Sequence, residues 1–330
     1  LIGSVLLDVA ATGGQGGGGD AATGHSGGAA RVGGFLQARD DVFGRFTASG
    51  GVGECSKTGA GGAGGLASAG PISGQSTNAG ALVLSLKATG GQGGCTTSGV
   101  AGRGSDSILV NAIGGTSAGT LELVQEAWAG PGGGVVATGA AGRGGNAESR
   151  LAAKDSAKSI EVRTIARGGA GGYHDASGPK GARGDAIAQS ATHNLAGSAT
   201  AKAEAMAGGA TPATNEFGAP GTALAEADAT GGGQSADTVF AYAVANSEGG
   251  QASATARARN DHPGDLRVNQ GVKSTAAAFG SSAGAKASAE ASFGAIRSLK
   301  LDATASSAED AAIAAVSIDL GKYAATAQYR

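Results

Sequence analysis

The stretch ALVLSLKATGGQGGCTTSGVAGRGSDSILV, from Ala81 to Val110, contains the features that decide the fold. It opens with a run in which apolar and polar side chains alternate. It continues through a glycine tract with a cysteine and ends on a second short apolar run. Alternation with a period of two is the pattern of a β-strand with one buried face. The stretch therefore predicts two strands that are joined by a glycine-rich loop.

These features return about every 40 residues along the chain. Cys55 and Cys95 are separated by the same interval as Arg103 and Arg143, and Arg183 follows Arg143 at that interval again. A repeat of about 20 to 50 residues is typical of solenoids, in which each unit buries its apolar face only against its neighbours. We therefore predict an all-β fold, a β-solenoid of stacked coils of about 40 residues with two strands per coil and Gly-rich loops. A β-sandwich is the alternative, since evenly spaced strands also fit it.

Glycine makes up 65 of the 330 residues, far above the usual share of about 7%. A collagen triple helix is excluded because the chain has no Gly-X-Y period and contains only 6 prolines. Tracts such as GGQGG suit positions with positive φ or close backbone approach. They could equally pack as extended polyglycine helices along one side, and the sequence leaves this choice open.

The inward-facing residues predict a core that narrows along one elongated solenoid, residues 1–330. In the first part the inward-facing side chains are large, as in Leu82, Leu84 and Leu86, whereas from Ala199 to Ala207 the inward-facing residues are alanines. We therefore expect long Gly-loop coils with a Leu/Ile/Val core over residues 1–207. Shorter coils with an alanine core are expected over residues 208–330.

Charge and motif content narrow the functional classes. The net charge is −2 and the basic residues do not cluster, so we expect no nucleic-acid partner. No apolar run reaches about 18 residues, so the chain is not expected to span a membrane in this form. Paired carboxylates such as Glu226 and Asp228 lie on the solvent face of a strand, and the histidines lack ligand spacing. We predict no enzymatic activity and no cofactor.

The two cysteines are disulfide candidates. If coils stack in phase, Cys55 and Cys95 lie on adjacent rungs with Cα atoms about 5 Å apart, within bridging distance. A disulfide would indicate an oxidising compartment, and we expect an extracellular or cell-surface protein. The alternative is two unpaired cysteines in a reduced protein. The chain opens at Leu1, and we interpret it as a mature or trimmed product.

Arg103, Arg143 and Arg183 form a possible ladder, since each would lie on the coil above the last. Stacked like charges repel unless they are neutralised, and nearby carboxylates such as Asp106 and Asp185 could pair with them. The functional alternative is a row of guanidinium groups for an acidic extracellular polysaccharide or for the carboxylates of another subunit.

AGRGSDSIL, from Ala101 to Leu109, resembles the calcium-binding nonapeptide of RTX β-rolls at Gly102, Gly104, Asp106 and Ile108. The resemblance implies calcium ligands at Asp106 and, in the following coils, at Asn146 and Asp185. The RTX motif recurs every nine residues, whereas here it returns only once per coil. A turn closed by an Asp or Asn side chain is therefore favoured over a metal site.

Both ends of the chain are strand-like. Val5, Leu7 and Val9 alternate at the N-terminus, and Val316, Ile318 and Leu320 share one face near the C-terminus. Open β edges associate unless they are capped, and a contact that does not close gives a filament. SSAEDAAIAAV, residues 306–316, could instead form a short capping helix, because it has capping-box spacing. A further set of interface candidates, the outward-facing apolar residues of one strand, comprises Phe240, Tyr242 and Val244.

Runs such as ATGGQGG, GAGGAGG and SATAKAEAMAGG resemble Gly/Ala-rich secreted bacterial surface, sheath and matrix proteins of the kind sorted by a PEP-CTERM tail. The resemblance implies a structural role outside the cell and supplies no catalytic residues. We predict an extracellular structural protein that assembles with itself, head to tail, into a surface filament, sheath or biofilm-matrix fibre. The alternative is an adhesin stalk or glycan-binding passenger module.

Overall fold

The computed structural model describes residues 3–17, 23–175, 178–209, 218–232, 238–260, 271–280, 284–293, 298–307 and 311–319. Within these ranges the chain forms 22 strands and no helix, and the strand pairings are parallel. Each strand pairs with the strand one coil further along the chain, as Val42 pairs with Leu82 and Leu82 with Leu121. The predicted β-solenoid is therefore confirmed.

One wall of the solenoid is a nine-stranded sheet, called here the front sheet. Its strands follow one another coil by coil, because each coil contributes one alternating run at the same register position. The strands are β1 (Val5–Thr12), β3 (Val42–Ser49), β6 (Leu82–Thr89), β10 (Thr120–Trp128), β13 (Ser159–Arg167), β15 (Ser198–Met206), β17 (Thr238–Ser247), β19 (Gly271–Gly280) and β21 (Ser298–Ser306).

The opposite wall is divided into two sheets. The N-terminal back sheet contains β2 (Ala30–Ala38), β5 (Ala67–Ser76) and β9 (Ile113–Thr116). The back sheet contains β8 (Ser107–Val110), β12 (Ala147–Asp155), β14 (Ala186–Asn194), β16 (Ala223–Gly231), β18 (Ala252–Asn260), β20 (Ala285–Phe293) and β22 (Ala312–Asp319). The alternative of a short capping helix over residues 306–316 is not found where this segment is described, because Ala312–Asp319 pairs with β20 as a strand.

The core lies between the two walls and changes along the stack. Large side chains such as Phe46, Leu84 and Leu123 fill the first coils, whereas alanines such as Ala201 and Ala256 fill the later ones. The coils also shorten, because the register partners β19 and β21 lie closer together in sequence than β3 and β6 do. Thin alanine layers suit this taper because facing sheets can approach closely only where side chains are small.

A second layer projects from one side of the early coils. Between its front and back strands, each coil sends out one glycine segment and brings another back. We call these segments the glycine wing, residues 13–17, 23–29, 50–66, 90–106, 129–146, 168–175 and 178–185. At the far end, β4 (Ser56–Ala60), β7 (Thr96–Val100) and β11 (Val135–Ala140) form a three-stranded tip sheet. Two coils with a tip strand therefore have three strands, and the coil from β6 to β9 has four because its back strand is split, whereas the sequence predicted two per coil.

Hydrogen bonding in the wing has a period of three residues. Gly50 and Gly53 donate to the next coil of the same row, to the carbonyls of Thr89 and Gln92, each at 2.9 Å. Gly51 instead donates across to Gly28 at 2.9 Å, in the returning segment of the preceding coil. Three residues per turn is the period of an extended polyproline II helix. The tracts therefore form extended polyglycine segments, and they also approach one another closely, since a Cβ atom at Gly51 would lie 1.9 Å from the Gly14 carbonyl oxygen.

The back wall is interrupted at Asn111, which has a φ of 46°. β8 pairs forward with β12, whereas β9, on the other side of Asn111, pairs backward with β5. The buried side chain of Gln125 bonds the backbone at this break. It accepts from the Ala112 N–H at 3.0 Å and donates to the carbonyls of Leu109 and Arg150, each at 3.0 Å.

Candidate interaction surfaces

The predicted disulfide is present in the wing. Cys55 and Cys95 are bonded, with their Cα atoms 4.3 Å apart, at the points where two outgoing glycine segments enter the tip sheet. Behind them the Ser56 hydroxyl donates to the Thr96 hydroxyl at 3.0 Å. The bond therefore joins adjacent rungs, as in-phase stacking of the repeat requires.

The arginine ladder has two members rather than three. Arg103 and Arg143 lie exposed on consecutive coils, where they contact Asp106 at 2.9 Å and the Asn146 side-chain oxygen at 3.0 Å. The prediction that Arg183 continues this row is wrong. Because Ala147 pairs with Ala186 rather than with Ile187, this coil is one residue shorter and the ladder position falls on Ala182.

Arg183 is instead turned inward, with 5% of its surface exposed. Its guanidinium donates to the backbone carbonyl of Glu248 and lies 3.9 Å from the Glu248 carboxylate. This contact covers the C-terminal side of the wing, where the glycine segments shorten. Arg183 therefore stabilises the fold at a position unsuited to partner contact.

Asp106, Asn146 and Asp185 stack as predicted, but their side chains bond the backbone. The Asp106 carboxylate accepts from the Asn146 N–H at 2.8 Å, and the Asn146 side-chain oxygen accepts from the Asp185 N–H at 3.0 Å. Asp185 in turn accepts from the Thr222 N–H at 2.8 Å. These oxygens accept backbone hydrogen bonds where the wing joins the back sheet. This agrees with the prediction of turns closed by Asp or Asn side chains, which was favoured over a calcium site.

Across the described parts of the chain, no group of three or more His, Cys, Asp or Glu side chains is placed to hold a metal ion. Glu226 and Asp228 lie on the outer face of β16, as the alternation predicted. The absence of enzymatic activity stays a prediction.

The N-terminal end of the stack is β1, an edge of the front sheet. Val5 and Val9 face the core but are only partly buried, and Leu7 is 38% exposed. On the outer face Leu6 lies next to Phe43 in register, and both side chains are exposed. The sequence pattern identified the inward set and missed the outer pair, because alternation alone does not show which outer residues stack.

The C-terminal end of the stack is formed by β21 and β22. Val316 occupies an inward position yet is 53% exposed, and Ile318 is partly buried. Leu320, the third predicted member, lies outside the described residues. Two of the three apolar residues predicted for this end are thus placed, and both are incompletely covered.

Phe240, Tyr242 and Val244 point outward from β17, as predicted, and all three are half-buried. Their register partners on β15 are polar, with Tyr242 beside Lys202 and Val244 beside Glu204. These residues therefore lie in a mixed surface rather than in a continuous apolar patch.

Two cations lie over the indole ring of Trp128, which is half-buried at the end of β10. The Lys87 ammonium lies 3.2 Å from the centre of the ring and the Arg167 guanidinium 4.3 Å from it. Cations over an indole face are attracted by the ring quadrupole. Trp128 is thus largely covered by charged neighbours of the same wall.

A chain of charges crosses the outer face of the back sheet. Arg257 lies 3.5 Å from Asp228 and 3.1 Å from Glu290 on the flanking strands. Burial raises the pKa of the Asp228 carboxyl above its ordinary value, against the opposing effect of Arg257. Asp228 is therefore a partly desolvated carboxylate whose charge is balanced by Arg257 on the neighbouring strand β18.

Fold and surfaces together define this molecule as an all-β, disulfide-linked parallel solenoid with a glycine wing. Searches of protein-family models, of curated proteins and of solved structures found no match for the chain. The described residues contain no helix that is long and apolar enough to cross a bilayer.

Proposed function

We propose that this protein is an extracellular structural protein whose copies stack end to end into a filament. The observation that carries the proposal is the exposure of core positions at both ends. Val316 is 53% exposed, whereas its register partner Ala289 on the next strand inward is fully buried. Val5 is only partly buried, whereas its register partner Val42 on β3 is fully buried.

The core side chains of the last strand favour association more strongly than the core side chains of an inner strand would. The inner coils have alanine at Ala289 and Ala291, but the last strand has Val316 and Ile318 at the same register positions. Burial of apolar surface contributes about 25 cal/mol per Å², so larger side chains at the ends favour contact. A second copy is a partner that offers the matching sheet edges.

Strand direction sets the arrangement of the copies. Both the free edge of β1 and that of β21 belong to a parallel sheet, and only a head-to-tail contact continues a parallel ladder. A heterologous contact of this kind does not close on itself and gives a filament. Only five residues separate β21 from β22, so the last coil presents its two walls at the joint.

Electrostatics at an in-phase joint would be slightly unfavourable. Continuing the register of the front sheet places Asp302 of one copy opposite Asp8 of the next. Like charges that lie directly opposite each other destabilise a sheet. Lys300, which lies 3.3 Å from Asp302, reduces this repulsion. We expect added salt to promote assembly.

Location outside the cell is supported by the disulfide, since such bonds persist in oxidising compartments. The filament proposal does not depend on this bond, because Cys55 and Cys95 lie at the wing tip and the exposed core positions lie at the ends of the walls.

Negative-stain electron microscopy and sedimentation of the purified chain test the proposal. We expect unbranched filaments from the wild type and none from Val316→Lys, which puts a charge at the joint. Val244→Lys, on the outer face of an inner strand, is the matched control and should assemble normally. A wild type that stays monomeric at high concentration, or filaments from Val316→Lys equal to those of the wild type, would contradict the proposal.

A further inference from the structure

The outer face of the back sheet contains a groove of about 270 Å³. Its floor is made by two small outward residues, Ala152 and Ala191, which are register partners on β12 and β14. Asn111 closes one end, where β8 stops, and Asp228 closes the other end. The groove runs across the strands over about three strand spacings of roughly 4.8 Å each.

One wall of the groove is a row of long polar side chains, Arg150, Gln189 and Glu226, on three consecutive strands. Each is held in place by a neighbour. The Arg150 guanidinium lies 2.7 Å from Glu148, and the Gln189 amide donates to Glu226 at 2.7 Å. Side chains fixed in this way lose less conformational freedom when they bind a ligand.

The two ends of the groove are also fixed. The Asn111 side-chain oxygen accepts from the Ala152 N–H at 2.9 Å, and Asp228 is held by Arg257 at 3.5 Å. The groove thus presents planar amide, guanidinium and carboxylate groups around an apolar floor. Ligand sites commonly combine such a floor with a few placed polar groups.

The charge of the lining restricts the ligand. The lining contains one guanidinium, that of Arg150, and two carboxylates, those of Glu226 and Asp228, which disfavours an anionic ligand. Arg257 already occupies the outer side of Asp228, and Gln189 occupies one oxygen of Glu226, which leaves little need for a cation. An uncharged ligand rich in hydroxyl groups fits best, because planar polar groups can bond neighbouring hydroxyls in pairs.

We propose that this groove binds one residue of an uncharged polysaccharide. The ring would lie on the methyl groups of Ala152 and Ala191, and its hydroxyls would bond Gln189, Asn111 and the carboxylates. The groove is smaller than the roughly 300 Å³ at which ligand pockets begin, so it holds one ring rather than an oligosaccharide. The affinity for a short ligand is therefore weak, in the millimolar range.

Saturation-transfer NMR on the full chain tests this site with neutral trisaccharides of glucose, mannose and galactose. We expect at least one of them to bind, and we expect trigalacturonate and a glucosamine trimer to bind more weakly. Ala191→Phe should abolish binding, because its ring fills the floor. Thr200→Phe places the same side chain on the outer face of the front sheet and should leave binding unchanged.

A second variant pair measures the hydrogen bonds. Gln189→Ala should weaken binding about fivefold, the effect of one lost hydrogen bond. Gln75→Ala removes a comparable glutamine contact, with Gln37 at 2.9 Å, far from the groove and should have no effect. The proposal is overturned if no neutral sugar binds, if Ala191→Phe binds like the wild type, or if a charged trimer binds most tightly. Melting curves confirm that each variant is folded.

Discussion

Gly102 lies in the glycine wing where no side chain fits. A Cβ atom there would come within 1.9 Å of the Gly62 carbonyl oxygen and 2.8 Å of the Gly94 nitrogen. Both obstacles are backbone atoms of neighbouring segments, which cannot move without breaking their own hydrogen bonds. The wing therefore requires glycine at its inward positions and tolerates side chains at its outward ones.

Gly102→Ala is expected to destabilise the protein by about 1–3 kcal/mol or more, the usual cost of overpacking. Urea denaturation measures the change. Gln92→Ala, at an outward and exposed wing position, is the control and should stay within about 0.5 kcal/mol of the wild type. Equal stability of the two variants would be inconsistent with the hydrogen-bonded lattice described above.

Gln125 is a fully buried polar residue that hydrogen-bonds the backbone at the break in the back wall. Gln125→Leu restores the residue type that Leu86 supplies one coil earlier, but it leaves the Ala112 N–H and two carbonyls without a side-chain partner. Each buried unpaired group costs about 1–3 kcal/mol, so a loss of several kcal/mol is expected in urea denaturation.

Thr164→Val is the matched control for Gln125→Leu. The Thr164 hydroxyl is buried next to Gln125 in the register and has no hydrogen-bond partner among the described residues. Removing it should be neutral or slightly stabilising. If Gln125→Leu lowered the free energy of unfolding no more than Thr164→Val does, the claim that Gln125 stabilises the break in the back wall would be disproved.

Asp228 offers a titration prediction. Burial raises its pKa, so the folded protein binds this proton more tightly than the unfolded chain, whose Asp pKa is about 3.9. The group therefore adds stability as the pH falls through the raised folded value, and that gain is absent at neutral pH. Carboxyl-detected NMR should give a midpoint above the unfolded value. Arg257→Gln should raise it further, and a midpoint that fell in this variant would be inconsistent with the assigned causes.

At the scale of elements, the disulfide joins two outgoing wing segments next to the tip sheet. Its two cysteines have a sequence separation of 40, and a cross-link that closes such a loop stabilises by about 4 kcal/mol at most in the chain-entropy account. Reduction, or the double change Cys55→Ser with Cys95→Ser, should lower the melting temperature. Hydrogen exchange should show the loss first in β4 and β7. Protection lost first from β15 or β17, deep in the alanine core, would contradict this location.

Strands with strict alternation could be predicted from the sequence, and their register followed from the repeat. The tip strands were missed because runs such as Ser56–Ala60 contain a glycine and lack alternation. The register of Arg183 was missed because the coil from β12 to β14 is one residue shorter than the coil before it, a shift that the spacing of 39 between Asn146 and Asp185 already indicated. The groove beside Asp228 was also missed, since it depends on two alanines that are neighbours only after stacking.

At the scale of the whole molecule, the core narrows from Leu and Phe to Ala and then widens again in the last coil. Inner coils can be thin because each is covered on both sides. The terminal coils have one uncovered side, and their larger residues, such as Leu7 and Val316, remain exposed. This distribution is expected of a stack whose ends contact further copies.

X-ray diffraction from oriented filaments of the purified chain tests the central claim, that coils stack in phase and that the stacking continues between molecules. We expect a meridional reflection at about 4.8 Å, with strands perpendicular to the filament axis. The same reflection on the equator, or a protein that gives no filaments to orient, would contradict this claim.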